Sequence, residues 1–162
     1  MATAAFTAWA LTALGGLVLA ITWISRGGLR QDRKLEDASV RGGAQYPHTA
    51  DRREQHHGLS STLVFGHGAL ALVGLAGWGG YVLSGENRAA AAILALLLVP
   101  VVALGLTMFS RWQRGDRTGG EVGPEVPEKP ADQYLHPAIV YTHGLAALAT
   151  VVLVVAAAIT IA

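Results

Sequence analysis

The stretch Gly58–Ser84, GLSSTLVFGHGALALVGLAGWGGYVLS, runs for 27 residues without a charged side chain and carries one histidine, His67. A bilayer core about 30 Å thick is crossed by roughly 20 apolar residues at about 1.5 Å rise each, so this stretch is long enough to span it. Three others share its character. Ala4–Ser25, Ala89–Ser110 and Leu135–Ala162 also contain no Asp, Glu, Lys or Arg. An amphipathic helix of a soluble bundle would carry charges along one stripe, and these stretches carry none on any face. The sequence therefore predicts an all-α fold: a four-helix transmembrane bundle with spans at about 4–25, 58–84, 89–110 and 135–162. It forms one integral membrane domain over 1–162.

Composition supports this reading. Just over half of the 162 residues are apolar and 14% are charged, and apart from Glu86 and Arg88 every charge lies in 26–54 or 111–132. A net charge of +1 gives no ground for a nucleic-acid partner. Cysteine is absent, which excludes disulfides and thiolate chemistry. The first span lacks a basic segment before its apolar run and is followed by Arg26, so it reads as a retained span rather than a cleaved signal.

The basic residues set the expected orientation. Eleven of the twelve Lys and Arg lie in the connections 26–57 and 111–134, which a four-span chain places on one side. The positive-inside rule makes these loops cytoplasmic and puts both termini outside, in a plasma (inner) membrane. Trp23, Trp112 and Tyr134 then fit an inner aromatic belt, and Trp9, Trp78 and Tyr81 an outer one. Arg30–Val40 suits a short charged surface helix, and Gly119–Pro130 an extended tether. The tight turn at 85–87 makes the second and third spans a hairpin.

The chain also repeats itself. Leu19-Ala-Ile-Thr-Trp-Ile-Ser-Arg26 recurs 85 residues later as Leu104-Gly-Leu-Thr-Met-Phe-Ser-Arg111. Val64-Phe-Gly-His-Gly-Ala-Leu-Ala-Leu72 recurs 76 residues later as Val140-Tyr-Thr-His-Gly-Leu-Ala-Ala-Leu148. Chance accounts for shared Leu and Ala in apolar spans. It accounts poorly for a shared His-Gly in one pair of spans and Thr-x-x-Ser-Arg in the other, in the same order. The expectation is a tandem repeat of two-helix units related by a pseudo-twofold axis along the membrane normal.

That symmetry puts His67 and His143 at one depth, in the cytoplasmic half, facing each other across the axis. Gly68 and Gly144 follow them and permit close approach of a helix or a flat ligand. Seven residues before each histidine lie Ser60 and His136, and Arg53 and His56 precede Ser60, giving a polar, partly basic mouth. Pro100 aligns with Gly15, and both read as points where a helix softens and widens the central space. His48 and His57 carry no assigned role.

Two imidazoles at equal depth on parallel spans suit the axial positions of a haem b, with His67 and His143 on the iron and the propionates toward Arg53, His56, Ser60 and His136. Such a protein passes electrons, with a membrane quinone as one candidate partner and other membrane subunits or a redox protein as others. The layout of short spans with histidines on two of them resembles the general architecture of small membrane-bound b-type cytochromes and haem-bearing anchor subunits. That resemblance covers a layout and no motif. The competing expectation is a non-catalytic accessory subunit of a larger membrane complex in which each histidine bonds a neighbouring helix. Thr22, Thr107, Ser25, Ser110 and Tyr141 are the candidate partners there. Zinc or copper wants more ligands than two histidines supply.

Overall fold

The computed structural model describes residues 1–31, 33, 59–84, 87–117 and 131–160, the side chains of 115–117 excepted. Four long helices dominate: α1 (Ala2–Ser25), α2 (Ser61–Ser84), α3 (Arg88–Arg117) and α4 (Pro137–Thr160). A short 3-10 turn at Ala131–Tyr134 precedes α4. All four helices are long and apolar enough to cross a membrane. Large apolar side chains such as Leu11, Leu72, Leu96 and Leu148 lie exposed on the outside, as contact with a lipid bilayer requires.

The helices begin and end where local chemistry dictates. Ser60 precedes α2, and its hydroxyl accepts a hydrogen bond from the Leu63 N–H at 3.4 Å. His136 precedes α4, and its Nδ1 accepts from the Ala138 N–H at 3.3 Å, with Pro137 in the first helical position. Asn87 caps α3 in the same way, through bonds from Ala89 and Ala90. α3 continues to Arg117, about two turns beyond the apolar run. Loss of hydropathy at Arg111 marks the end of a span, whereas a helix stops only where a breaker or cap intervenes. The expected surface helix at 30–40 and the tether at 119–130 lie largely or wholly outside the described residues.

The bundle is a ring. α1 packs most extensively on α4, and α2 on α3; α1 with α2 and α3 with α4 close the circuit. The diagonal pairs keep apart, and among the described residues no Cα of α2 comes within 8 Å of one in α4.

Two apolar clusters fill the ends of this ring. One gathers Ala5, Trp9, Trp78, Tyr81, Leu98 and Val154, and the other Trp23, Leu59, Val64, Trp112, Ala131 and Leu135. The aromatic residues assigned to the two belts are mostly interior: Trp9, Trp23, Trp78, Tyr81 and Trp112 are each at most 5% exposed. Only Tyr134, with Arg26 stacked 4.8 Å from its ring centre, keeps an outward position. Hydropathy assigns a level along the bilayer but not a direction around the helix. Small residues opposite these rings make their burial possible. A Cβ at Gly74 would lie 2.5 Å from the Trp9 indole, and one at Gly79 would lie 3.0 Å from Phe6. The Trp78 indole N–H donates to the Ala2 carbonyl at 3.0 Å, which satisfies the one polar atom of that ring. Replacing Gly74 by Val should overpack this end and cost about 1–3 kcal/mol. A detergent melting curve unchanged by Gly74→Val would contradict the packing.

The other end joins the two long connections. The Ala131 N–H donates to Gln31 Oε1 at 2.9 Å, and Asp132, 2% exposed, is sealed beneath the turn. Burial pushes the Asp132 carboxyl above the usual carboxylate range, against the opposing pull of bonds from its own and the Gln133 N–H. The folded state therefore holds this proton more tightly than the unfolded chain. Its contribution to stability is complete below the unfolded pKa and is lost as pH rises through the folded one. Asp132→Asn keeps an acceptor but removes the charge. The wild-type melting temperature should fall relative to that variant as pH climbs through this window; parallel curves would refute it.

Candidate functional site

His67 and His143 are each the seventh residue of their helix, roughly 10 Å from its start. Their rings meet at one level between the two apolar clusters, with centroids 6.4 Å apart and planes at 78°. The pair thus bridges the diagonal from α2 to α4 that the backbones leave open.

Each imidazole is held by the backbone of a neighbouring helix. His143 Nδ1 lies 3.1 Å from the Thr12 carbonyl of α1, and His67 Nδ1 lies 3.0 Å from the Val101 carbonyl of α3. A carbonyl only accepts, so both Nδ1 atoms carry the proton. In the neutral ring that leaves Nε2 with its lone pair, and among the described residues neither Nε2 has a hydrogen-bond partner. A second ring nitrogen fixed in this manner is the usual support of a metal-ligating histidine.

The approach to a helical carbonyl is normally obstructed by the side chain four residues on. Here that residue is glycine in both cases. A Cβ at Gly16 would stand 3.0 Å from His143 Cε1, and one at Gly105 would stand 3.2 Å from His67 Cε1. Gly15 adds to the first cradle, 3.4 Å from His143 Nδ1. Its sequence partner Pro100 is exposed on α3. The two acceptors are not strict repeat partners, since the offset of 85 residues pairs Thr12 with Leu97, one helical turn before Val101.

Thr12 also ties α1 to α4 through its side chain. Its hydroxyl lies 3.0 Å from that of Thr150, both buried. One hydroxyl donates to the other, and the acceptor keeps its proton for the carbonyl of Ala8 or Ala146 on its own helix. Thr150 is seven residues beyond His143, so one face of α4 presents both groups to Thr12.

The remaining expected site residues fall in three groups. Ser60 and His136 stand in front of α2 and α4 as caps. Gly68 and Gly144 follow the two histidines on their helices, and a Cβ at either would meet open space. Arg53 and His56 lie outside the described residues. The side-chain partners proposed for a purely structural histidine are not used. Thr22, Ser25, Thr107 and Ser110 all bond carbonyls of their own helices, and Tyr141 packs edge-on to Phe109 and Trp112. Gly16, Gly105 and the two carbonyls went unassigned in the sequence because a backbone acceptor has no residue signature. The glycines were visible, but only a helix-packing register assigns them to a ring.

Among the described residues no group of three or more His, Cys, Asp or Glu converges, so the donor set is two imidazoles alone. Comparison with known proteins returns no matching family model, no matching curated protein and no matching solved structure.

Nitrogen NMR of ring-labelled protein should show both histidines protonated at Nδ1 and bare at Nε2 near neutral pH. Gly105→Val should change the His67 signals and leave those of His143 nearly unmoved. An Nε2-protonated tautomer in either ring would overturn the assignment.

Proposed function

We propose that this chain is a membrane electron-transfer protein or subunit that holds one haem b between α2 and α4, with His67 and His143 as axial ligands. One observation carries the reading: two imidazoles meet across the bundle with Nδ1 anchored and Nε2 free. The donor set fits the group. His67 and His143, with ring centres 6.4 Å apart and each with an Nε2 lone pair left uncommitted, would hold a haem iron between them. The same pair does not fit a zinc site, which wants four ligands. A bound haem would supply a one-electron couple. The protein's own part is to orient both ligands through Thr12 and Val101, to keep each Nε2 free of a proton, and to exclude water with the apolar clusters on either side.

The arrangement proposed for the whole chain follows from the sequence repeat and from loop charge. Two helix pairs are related by a pseudo-twofold axis along the membrane normal. Connections 26–57 and 111–134 are cytoplasmic and both termini are outside. Haem propionates would face the starts of α2 and α4, where Ser60 and His136 stand and which Arg53 and His56 precede in sequence. A membrane quinone is the proposed partner in electron exchange.

A second reading has its own support. The His143–Thr12 and His67–Val101 bonds fasten the two most extensive helix pairs, α1 with α4 and α2 with α3. Such bonds contribute about 0.6 kcal/mol on average inside membranes, so they also suit an accessory subunit whose histidines serve packing.

Visible spectra separate the two. Protein purified in detergent from haem-replete cells should show reduced-minus-oxidised bands of a b-type haem. His67→Ala and His143→Ala should each abolish them, and His48→Ala should not. A colourless preparation sinks the cytochrome reading, and loss with only one of the two histidines sinks the paired-ligand model.

A further inference from the structure

Threonines inside the spans follow a rule in this bundle. Beyond the first turn of each helix, Thr7, Thr22, Thr107 and Thr160 donate to the carbonyl four residues earlier, and of the bonded pair Thr12 and Thr150 one does so while the other donates to its partner. Such back-bonding is how a hydroxyl is satisfied where water is absent. Thr142 departs from the rule. It is exposed on α4, one residue before His143, and makes no hydrogen bond among the described residues.

Thr142 itself lines a groove. An open cleft of about 240 Å³ runs between α1 and α4, and Leu11, Gly15, Ile139, Thr142, His143 and Ala146 line it. Its rims are exposed to the surroundings, with Leu11 at 62% and Ile139 at 40%. A ligand therefore enters from the lipid rather than from water. The volume suits a single flat ring, since sites for larger ligands run to about 300–1,000 Å³. The feature belongs to one half of the chain. Where the sequence repeat has Thr142, Gly15 and Ala146 on this side, it has Gly66, Pro100 and Leu70 on the other.

We infer that the α1/α4 groove binds the head group of a lipid-soluble quinone, with the Thr142 hydroxyl donating to a ring carbonyl and the ring lying beside His143. A lipid acyl chain fits the apolar walls but offers Thr142 no acceptor, whereas a quinone offers an acceptor and a flat apolar ring together. The inference rests on the His67–His143 pair being a redox centre, and it gives that centre a partner site at ring contact on the α4 side only.

Photolabelling tests it. The full chain in lipid nanodiscs is irradiated with an azido-quinone, with decylubiquinone as competitor, and the labelled peptides are mapped. Haem content of the same sample is measured separately by its pyridine complex. Label should concentrate in 2–25 and 137–160 and be displaced by the competitor. Thr142→Val should weaken competition about fivefold to tenfold, as loss of one hydrogen bond does, and Thr142→Ser should restore it. Ala138→Phe, which fills the groove from its exposed rim, should block labelling. Label spread evenly over all four helices, or unchanged competition in Thr142→Val, overturns the site. Haem-free protein instead removes the redox reading, whatever the label does.

Discussion

Two hydrogen bonds from imidazole to helix backbone organise the middle of this bundle. Each needs a carbonyl at one position and a glycine four residues on, Thr12 with Gly16 and Val101 with Gly105. The bond does three things at once. It satisfies a polar ring in an apolar setting, locks its tautomer, and pulls the histidine-bearing helix against its neighbour. Helix pairing, ring orientation and the chemistry open to Nε2 thus have a common origin.

The end clusters complement this centre. Trp9, Trp78 and Tyr81 fill one end, and Trp23 and Trp112 the other, with Gly74 making room for Trp9 and Gly28 for Trp23. α1 stops near Arg26, and the chain turns through Gly27 at φ 86°, a left-handed conformation that glycine adopts without strain. The following Gly28 lies directly against the Trp23 indole, where a side chain would collide. Large rings and glycines are therefore complementary parts of one packing solution.

Four charge-free runs made the four helices legible in the sequence, and the His-Gly repeat singled out the histidines. Their helical register was legible too, since both fall seven residues into their helices. What the sequence hid were relations between helices. Ser60 and His136 looked like a ligand mouth because they share a face with the histidines, yet that spacing also puts them at the N-cap, where the backbone claims their side-chain acceptors. The tryptophans looked like belt residues because level along a span is a one-dimensional property. Burial depends on what stands opposite, and for Trp9 that is a glycine in another helix.

The sealed ends also set the electrical character of the middle. Apolar clusters stand above and below His67 and His143, and the polar groups held beside the rings are the two backbone carbonyls and the Thr12–Thr150 hydroxyl pair, none of which carries a formal charge. A formal charge placed there would sit in a medium of low dielectric constant, where each unit is costly. The middle of the bundle therefore disfavours formal charge, whatever stands beside the two rings. The same aromatic plugs that hold the helices together act as an electrostatic setting.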